Sequence, residues 1–562
     1  MLKNFLFLSF FLILFISCSP KKESLDLIIH HAIIYSVDST FSVYEAMGIK
    51  DGKIIELNSN QEILKKYTAK EITDADGKII FPGFIDAHCH FIAYGLGLQQ
   101  VDLTGTTSYN EIIKKITSFS INTKAIKALD GKPEFRKVQG GINSWLLGRG
   151  WDQNDWDKKE YPTNIQLDSL FPNTPVLLTR IDGHAALANS EALRQAGIGI
   201  HTKISGGEIL KTDNKLTGIL IDNAVDLVKN KIPKPAKDEI INALLMAQEN
   251  CIAMGLTTID EAGLMKSDID VIDELQKNGK LKMRVYAMLS DSLPNYDYYL
   301  ERGPYKTDRL NVRSFKFYAD GALGSRGACL EHDYADKPNW RGFLLSTKEH
   351  FEKYAKLVAQ KGFQMNTHCI GDSAYHLILE TYKKAGATKD KRWRIEHAQI
   401  VNPADMKISD NIIPSIQPTH ATSDMYWAKE RLGNRVKNAY AYKNLLSVTG
   451  IVALGTDFPV EDISPFKTFF AAVARQDDKG FPKEGFQTEN SLSREETIKG
   501  MTIWAAYSNF EEKEKGSLEK GKFADFVVLD QDLLKIAAER ILQTRVLSTF
   551  IGGRKVLGEE GR

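Results

Sequence analysis

Eight short apolar runs recur between residues 79 and 455, with helical patterns between most of them. The runs are 79–87, 255–261, 283–289, 312–318, 363–368, 393–397, 412–417 and 451–455. Runs of this kind read as buried strands. Apolar-periodic segments such as 348–359 and 373–384 fit between them as helices. Eight strands, each followed by a helix, predict an α/β fold, a closed parallel (β/α)8 TIM-like barrel. Pro414 weakens the seventh run as a central strand, because proline brings no N–H to the ladder.

The alternation is interrupted once. Residues from about 102 to 250 form a long insertion after the first barrel strand, and insertions on barrels usually shape access to the catalytic face. The ends of the chain have a different character. Residues 25–78 read as short strands, with Asp51-Gly52 as a hairpin turn. Residues 506–562 contain a second hairpin around Gly552-Gly553. Chain termini often lie close together, so the two pieces are expected to pair into one small β-sandwich, with the barrel spanning 79–505. His30 and His31 read as strand surface residues.

At 562 residues the chain can build a large core and an appendage. Lys plus Arg number 73 against 72 for Asp plus Glu, so charge gives no reason to expect nucleic acid as partner. Lys3, the apolar run 5–16 and Ser17 have the pattern of an export signal over residues 1–17, too short to span a membrane. Cys18 follows at once, and this resembles a bacterial lipoprotein signal, although Phe15 stands where leucine is usual. Lipidation at Cys18, a linker over 18–24 and attachment to a membrane by the lipid anchor alone are the expectations. They place the protein on the periplasmic or outer-membrane side. Cys89, Cys251, Cys329 and Cys369 show no framework spacing and read as buried free thiols.

In such a barrel the chemistry sits at the C-terminal strand ends. The first run ends at His88 and His90, which alternation puts on one face with Cys89 on the other. The fourth contains Lys316, the fifth ends in His368, the sixth in Glu396-His397 and the eighth in Gly455-Thr456-Asp457. Any one of these has a bland explanation: a pair of part-exposed histidines, or a lysine paired with Asp320. Five convergent polar strand ends do not. Three or four histidines with a carboxylate suit a divalent ion such as zinc. Such an ion lowers the pKa of its water to about 7, and Asp457 could take that water's proton and pass it on.

The motifs that carry a family resemblance are spread from residue 25 onward. They are Phe81-Pro-Gly-Phe-Ile-Asp-Ala-His-Cys-His90, Gly148-Arg-Gly-Trp151, Asp182-Gly-His184 with Asn189-Ser-Glu-Ala-Leu193, and Lys316 followed by Asp320-Gly-Ala-Leu-Gly-Ser-Arg326. Thr367-His-Cys-Ile-Gly-Asp372, Ile395-Glu-His397, Gly455-Thr-Asp-Phe-Pro459 and Gly521-Lys-Phe-Ala-Asp525 complete the set. In this order they resemble the amidohydrolase superfamily, specifically amidohydrolase family 3 with its N-substituted formamide deformylase-like members. The resemblance implies that His88 and His90 hold one metal with Asp457. It implies that His368 and His397 hold a second, and that a carboxylated Lys316 bridges them. The cofactor would be zinc, one or two ions. His184 and His420 are candidates to bind a substrate carbonyl or oxyanion, or are structural histidines at loop roots. Trp151 and Arg326 are candidate pocket residues; packing within the insertion also fits Trp151. For Glu396 a wall salt bridge is favoured over catalysis.

The implied function is hydrolysis of a non-peptide C–N bond in a small-molecule amide or N-substituted formamide, by attack of metal-bound hydroxide. The alternatives are a deaminase or cyclic-amide or ester hydrolase of the same superfamily and, from another class, a non-catalytic surface-binding lipoprotein. Assembly as a homodimer is compatible with the chain.

Overall fold

The computed structural model describes residues 22–98, 100–127, 145–233 and 235–557. Cys18 and the expected signal segment lie outside the described residues. Eight parallel strands form the central sheet: β1 (Phe84–Cys89), β2 (Leu256–Leu264), β3 (Arg284–Ser290), β4 (Leu310–Tyr318), β5 (Gln364–Cys369), β6 (Arg394–His397), β7 (Ile413–Ile416) and β8 (Ala453–Leu454). They lie side by side in chain order, and a short strand, Tyr305–Lys306, pairs antiparallel with β4. Most residues of these strands are buried on both faces, as near-continuous apolar runs require. Hydrogen bonds from Asp457 N to His88 O (2.7 Å) and from His90 N to Phe458 O (2.8 Å) tie the end of β8 to the end of β1. Amphipathic helices pack outside. Lys348–Gln360 and Asp372–Lys384 fall where the periodicity put them.

Pro414 sits inside β7 opposite Ile395. It is tolerated because β7 pairs with β8 only from Ser415 onward, so no partner strand needs an N–H from residue 414.

Two boundaries differ from expectation. Ile79–Pro82 is not the start of the barrel. It pairs antiparallel with Phe526–Leu529 and parallel with Ile33–Tyr35 in a terminal six-stranded sheet. A four-stranded sheet built from residues of the first quarter of the chain accompanies it, and Leu27, Ile34, Met47, Ile80 and Phe526 share one core. Gly83 is the joint: a Cβ there would lie 2.3 Å from the Thr257 side chain, so only glycine lets the chain cross into β1.

The insertion also ends earlier than 250. Its own six-stranded sheet runs from Val101–Asp102 to Lys215–Asp222. Helix Lys237–Ala253 instead packs on the barrel, burying Leu244, Ala247, Cys251 and Ile252 in the main core. Cys89, Cys251, Cys329 and Cys369 are all unpaired. Among the described residues no helix is long and apolar enough to cross a membrane.

Candidate metal centre

The C-terminal strand ends open into a cavity of about 1120 Å³, lined among others by His90, His184, Lys316, Tyr318, His368, His397, His420 and Asp457. His88 lies beneath them, fully buried. His90 Nε2 and His88 Nε2 stand 3.3 and 3.6 Å from Asp457 Oδ1, and Lys316 Nζ is 3.0 Å from His88 Nε2. The rings of His368 and His397 lie 4.5 Å apart centre to centre, and those of His88 and His397 4.9 Å. His397 and Asp457 adopt positive φ, 69° and 62°, which turns each side chain off the line of its chain at the mouth. Two groups of three bring their ligand atoms within 4.8 Å of one another: His88, His90 and Asp457, and His397, His420 and Asp457.

Four of these rings are held from behind. His88 Nδ1 meets Glu396 Oε2 (2.5 Å), His397 Nδ1 meets Gln417 Oε1 (2.8 Å), His184 Nδ1 meets Asp222 Oδ1 (2.6 Å) and His420 Nδ1 meets Glu461 Oε1 (2.9 Å). In the neutral rings of His88 and His397, with Nδ1–H donated outward, Nε2 carries its lone pair into the site, the arrangement metal-bound histidines use. Glu396 is in turn paired with Arg394 (2.8 Å), which also binds Asp260 (2.9 Å).

Electrostatics favour the same states. Burial, reinforced by Lys316, pushes His88 down to about 4, and burial first holds His368 and His397 well below the usual imidazole range. All three are therefore neutral at pH 7. Burial lowers Lys316 to about 8. Burial opposes ionisation of Asp457, but His420 and His90 outweigh it and keep the carboxylate charged. Burial likewise opposes charge on His420, yet Asp457 and Glu461 push it up to about 10. His368 Nε2 and Asp457 Oδ1 are buried without a hydrogen-bond partner. Buried polar atoms of this kind need a partner, and a bound cation would satisfy each of them. The donor set fits a divalent ion.

The family model of the amidohydrolase family matches residues 71–557. The chain belongs to that family. Its relatives include the protein LONG AFTER FAR-RED 3 of Arabidopsis thaliana, 31% identical over 96% of this chain and 92% of that one. An N-substituted formamide deformylase of Arthrobacter pascens is 24% identical over 94% and 97%. A crystal structure of an uncharacterised metal-dependent hydrolase from Pyrococcus horikoshii is similar with a TM-score of 0.71 at 25% identity, covering 91% of this chain and 99% of that one. The protein is thus an amidohydrolase-superfamily, metal-dependent hydrolase.

The structure brings His88, His90, Lys316, His368, His397, Asp457, His184 and His420 to one place. Two expected pocket residues lie elsewhere. Trp151 is fully buried in the core of the insertion, its indole N–H donating to Leu178 O (2.8 Å). Arg326 turns outward to Asp336 (2.9 Å). The alternative pairing of Lys316 with Asp320 is not seen, because Asp320 is used by the backbone N–H groups of Cys329, Ile370 and Gly371. Glu396 does form the wall salt bridge, and it also orients His88. Gln417, Asp222 and Glu461 went unrecognised because nothing in their local sequence marks them; only the fold brings them behind the histidines.

Proposed function

We propose that this amidohydrolase cleaves a non-peptide C–N bond, in an amide or N-substituted formamide, with zinc as its resident ion. The observation that carries the reading is the convergence of neutral imidazoles and a carboxylate from separate strand ends, with His368 Nε2 and Asp457 Oδ1 buried and without a hydrogen bond. A nitrogen-rich set with a carboxylate suits zinc. His88, His90 and Asp457 would hold one ion, and His368 and His397 a second. Lys316 would join them as a carbamate. Its lowered pKa favours the neutral amine, the form that adds carbon dioxide, and the product is an anionic oxygen donor where an ammonium would repel a cation. The activity named for the formamide deformylase relative supports the choice of bond.

A bound divalent ion supplies Lewis acidity and brings the pKa of a water toward neutrality. The remaining work belongs to the chain. Asp457 takes a proton from the attacking water and returns it to the leaving nitrogen, so that water and amide become acid and amine. Burial opposes charge on His184, but Asp222 raises its pKa, so its ring offers Nε2–H to the developing oxyanion. His420, bound to Glu461, keeps Asp457 aimed. Export with lipidation at Cys18 completes the proposal.

The test is elemental analysis of purified protein together with formate release from N-formyl amines. Bound zinc, loss of activity on chelation and its return with zinc are expected. Absence of bound metal and of metal-restored hydrolysis of N-formyl and N-acyl amines overturns the reading.

A further inference from the structure

Arg149 lines the cavity that holds the metal-site residues, and no carboxylate pairs with it among the described residues. Two other basic groups at that cavity are paired with carboxylates. Arg180 is engaged by Asp152 (2.5 Å) and Asp182 (2.6 Å), and Lys467 by Asp462 (3.0 Å) and Asp478 (3.2 Å). Among the described residues Arg149 has a single bond, from Nη2 to the backbone oxygen of Ile181 (2.9 Å), and its Nε is buried with no partner. A guanidinium carries five donors in a planar fork. Here the group is part-buried, its Nε is shut away from solvent, and most of its donors are unspent, which a ligand would complete.

The backbone aims it there. Strand Leu146–Trp151 starts in regular alternation, with Leu146 in one core of the insertion and Leu147 in the other. Continued, that alternation would put Arg149 and Trp151 on the same side. The register breaks between them: Gly150 has φ 108°, and a Cβ on it would lie 2.4 Å from Thr104 Oγ1. The bulge returns Trp151 to the core of Leu146 and leaves Arg149 on the other face, toward the cavity. The guanidinium then rests on the segment that carries His184: Nη1 passes 3.6 Å from where a Cβ of Gly183 would stand. The His184 ring is centred 5.4 Å from that of His368. The cation is thus fixed beside the reacting centre, and the nearby carboxylates of Asp152 and Asp182 are already taken by Arg180.

We infer that Arg149 is an anion subsite of the active cavity, and that the substrates are amides bearing a carboxylate close to the scissile bond. The substrate class rests on the hydrolase reading above; the subsite does not. A carboxylate matches the charge and the unspent N–H donors of the guanidinium.

The experiment pairs N-formyl derivatives of glycine, leucine and phenylalanine, each as the free carboxylate and as the neutral carboxamide. Binding to zinc-loaded protein is measured by calorimetry, and formate release is followed in parallel. The carboxylates are expected to bind at least about 10-fold more tightly than the carboxamides. The ratio should fall to near one in Arg149→Met and stay intermediate in Arg149→Lys, with melting curves verifying that both variants fold. A ratio near one in the unmodified protein, no carboxylate binding at all, or a ratio that survives in R149M overturns the subsite. Binding with the expected ratio but without formate release overturns the hydrolase reading and leaves the subsite standing.

Discussion

His88 shows how much of this centre depends on residues that touch no substrate. Its Nδ1 is engaged by Glu396, and burial and Lys316 keep the ring neutral, so the whole basicity of Nε2 faces the site. Burial opposes the charge on Glu396, but Arg394 and His88 outweigh it and hold the carboxyl down to about 2. Glu396→Gln removes that charge while keeping the shape. It should weaken zinc binding by about 10- to 100-fold, read by competition with a chromogenic chelator. An unchanged affinity would reduce Glu396 to a wall residue. The histidine ligands were legible in the sequence because they end apolar runs. Their supporting groups were not: Glu396 reaches His88 across the barrel, and Gln417 holds His397 from the end of the neighbouring strand.

At the scale of the element, the bulge at Gly150 decides which of two neighbouring side chains reaches the cavity. Period-two alternation would send Arg149 and Trp151 the same way; the extra residue sends them apart. Gly150→Val meets both a φ that β-branched residues avoid and the Thr104 backbone, whose N would lie 2.8 Å from the new Cβ. The expected result is a loss of about 1–3 kcal/mol of stability in denaturant melts, together with a lower preference for carboxylate substrates. Retention of both would show that the bulge does not position Arg149. The barrel strands themselves were readable, because a strand buried on both faces leaves a continuous apolar signature. The exception is 79–82, where only Pro82-Gly83 interrupts the apolar run although the chain changes sheets there.

For the whole molecule, the terminal sandwich sits at the end of the barrel away from the ligands. Gly83 leads from it into the start of β1, and Asp525 pairs with Arg284, the first residue of β3 (2.6 Å). The chain enters the described fold through strand Glu23–His30 in that sandwich. A lipid on Cys18 would therefore tether the molecule through the sandwich, with the cavity at the other end of the barrel. Cells grown with radiolabelled palmitate should label the protein, and Cys18→Ala should abolish both the label and membrane retention; a labelled C18A would exclude that cysteine as the acceptor. Alternating apolar runs and the polar groups that end them were enough, in the sequence alone, to indicate an eight-stranded barrel with His88, His90, Lys316, His368, His397 and Asp457 at its mouth. Those signals are local, set by burial of each strand. Only the tertiary structure placed Glu396, Gln417, Asp222 and Glu461 behind the rings, buried Trp151, turned Arg326 outward and, among the described residues, left Arg149 without a carboxylate. Each of those outcomes depends on contacts between residues distant in the chain or on a backbone irregularity, and neither leaves a periodic trace in sequence.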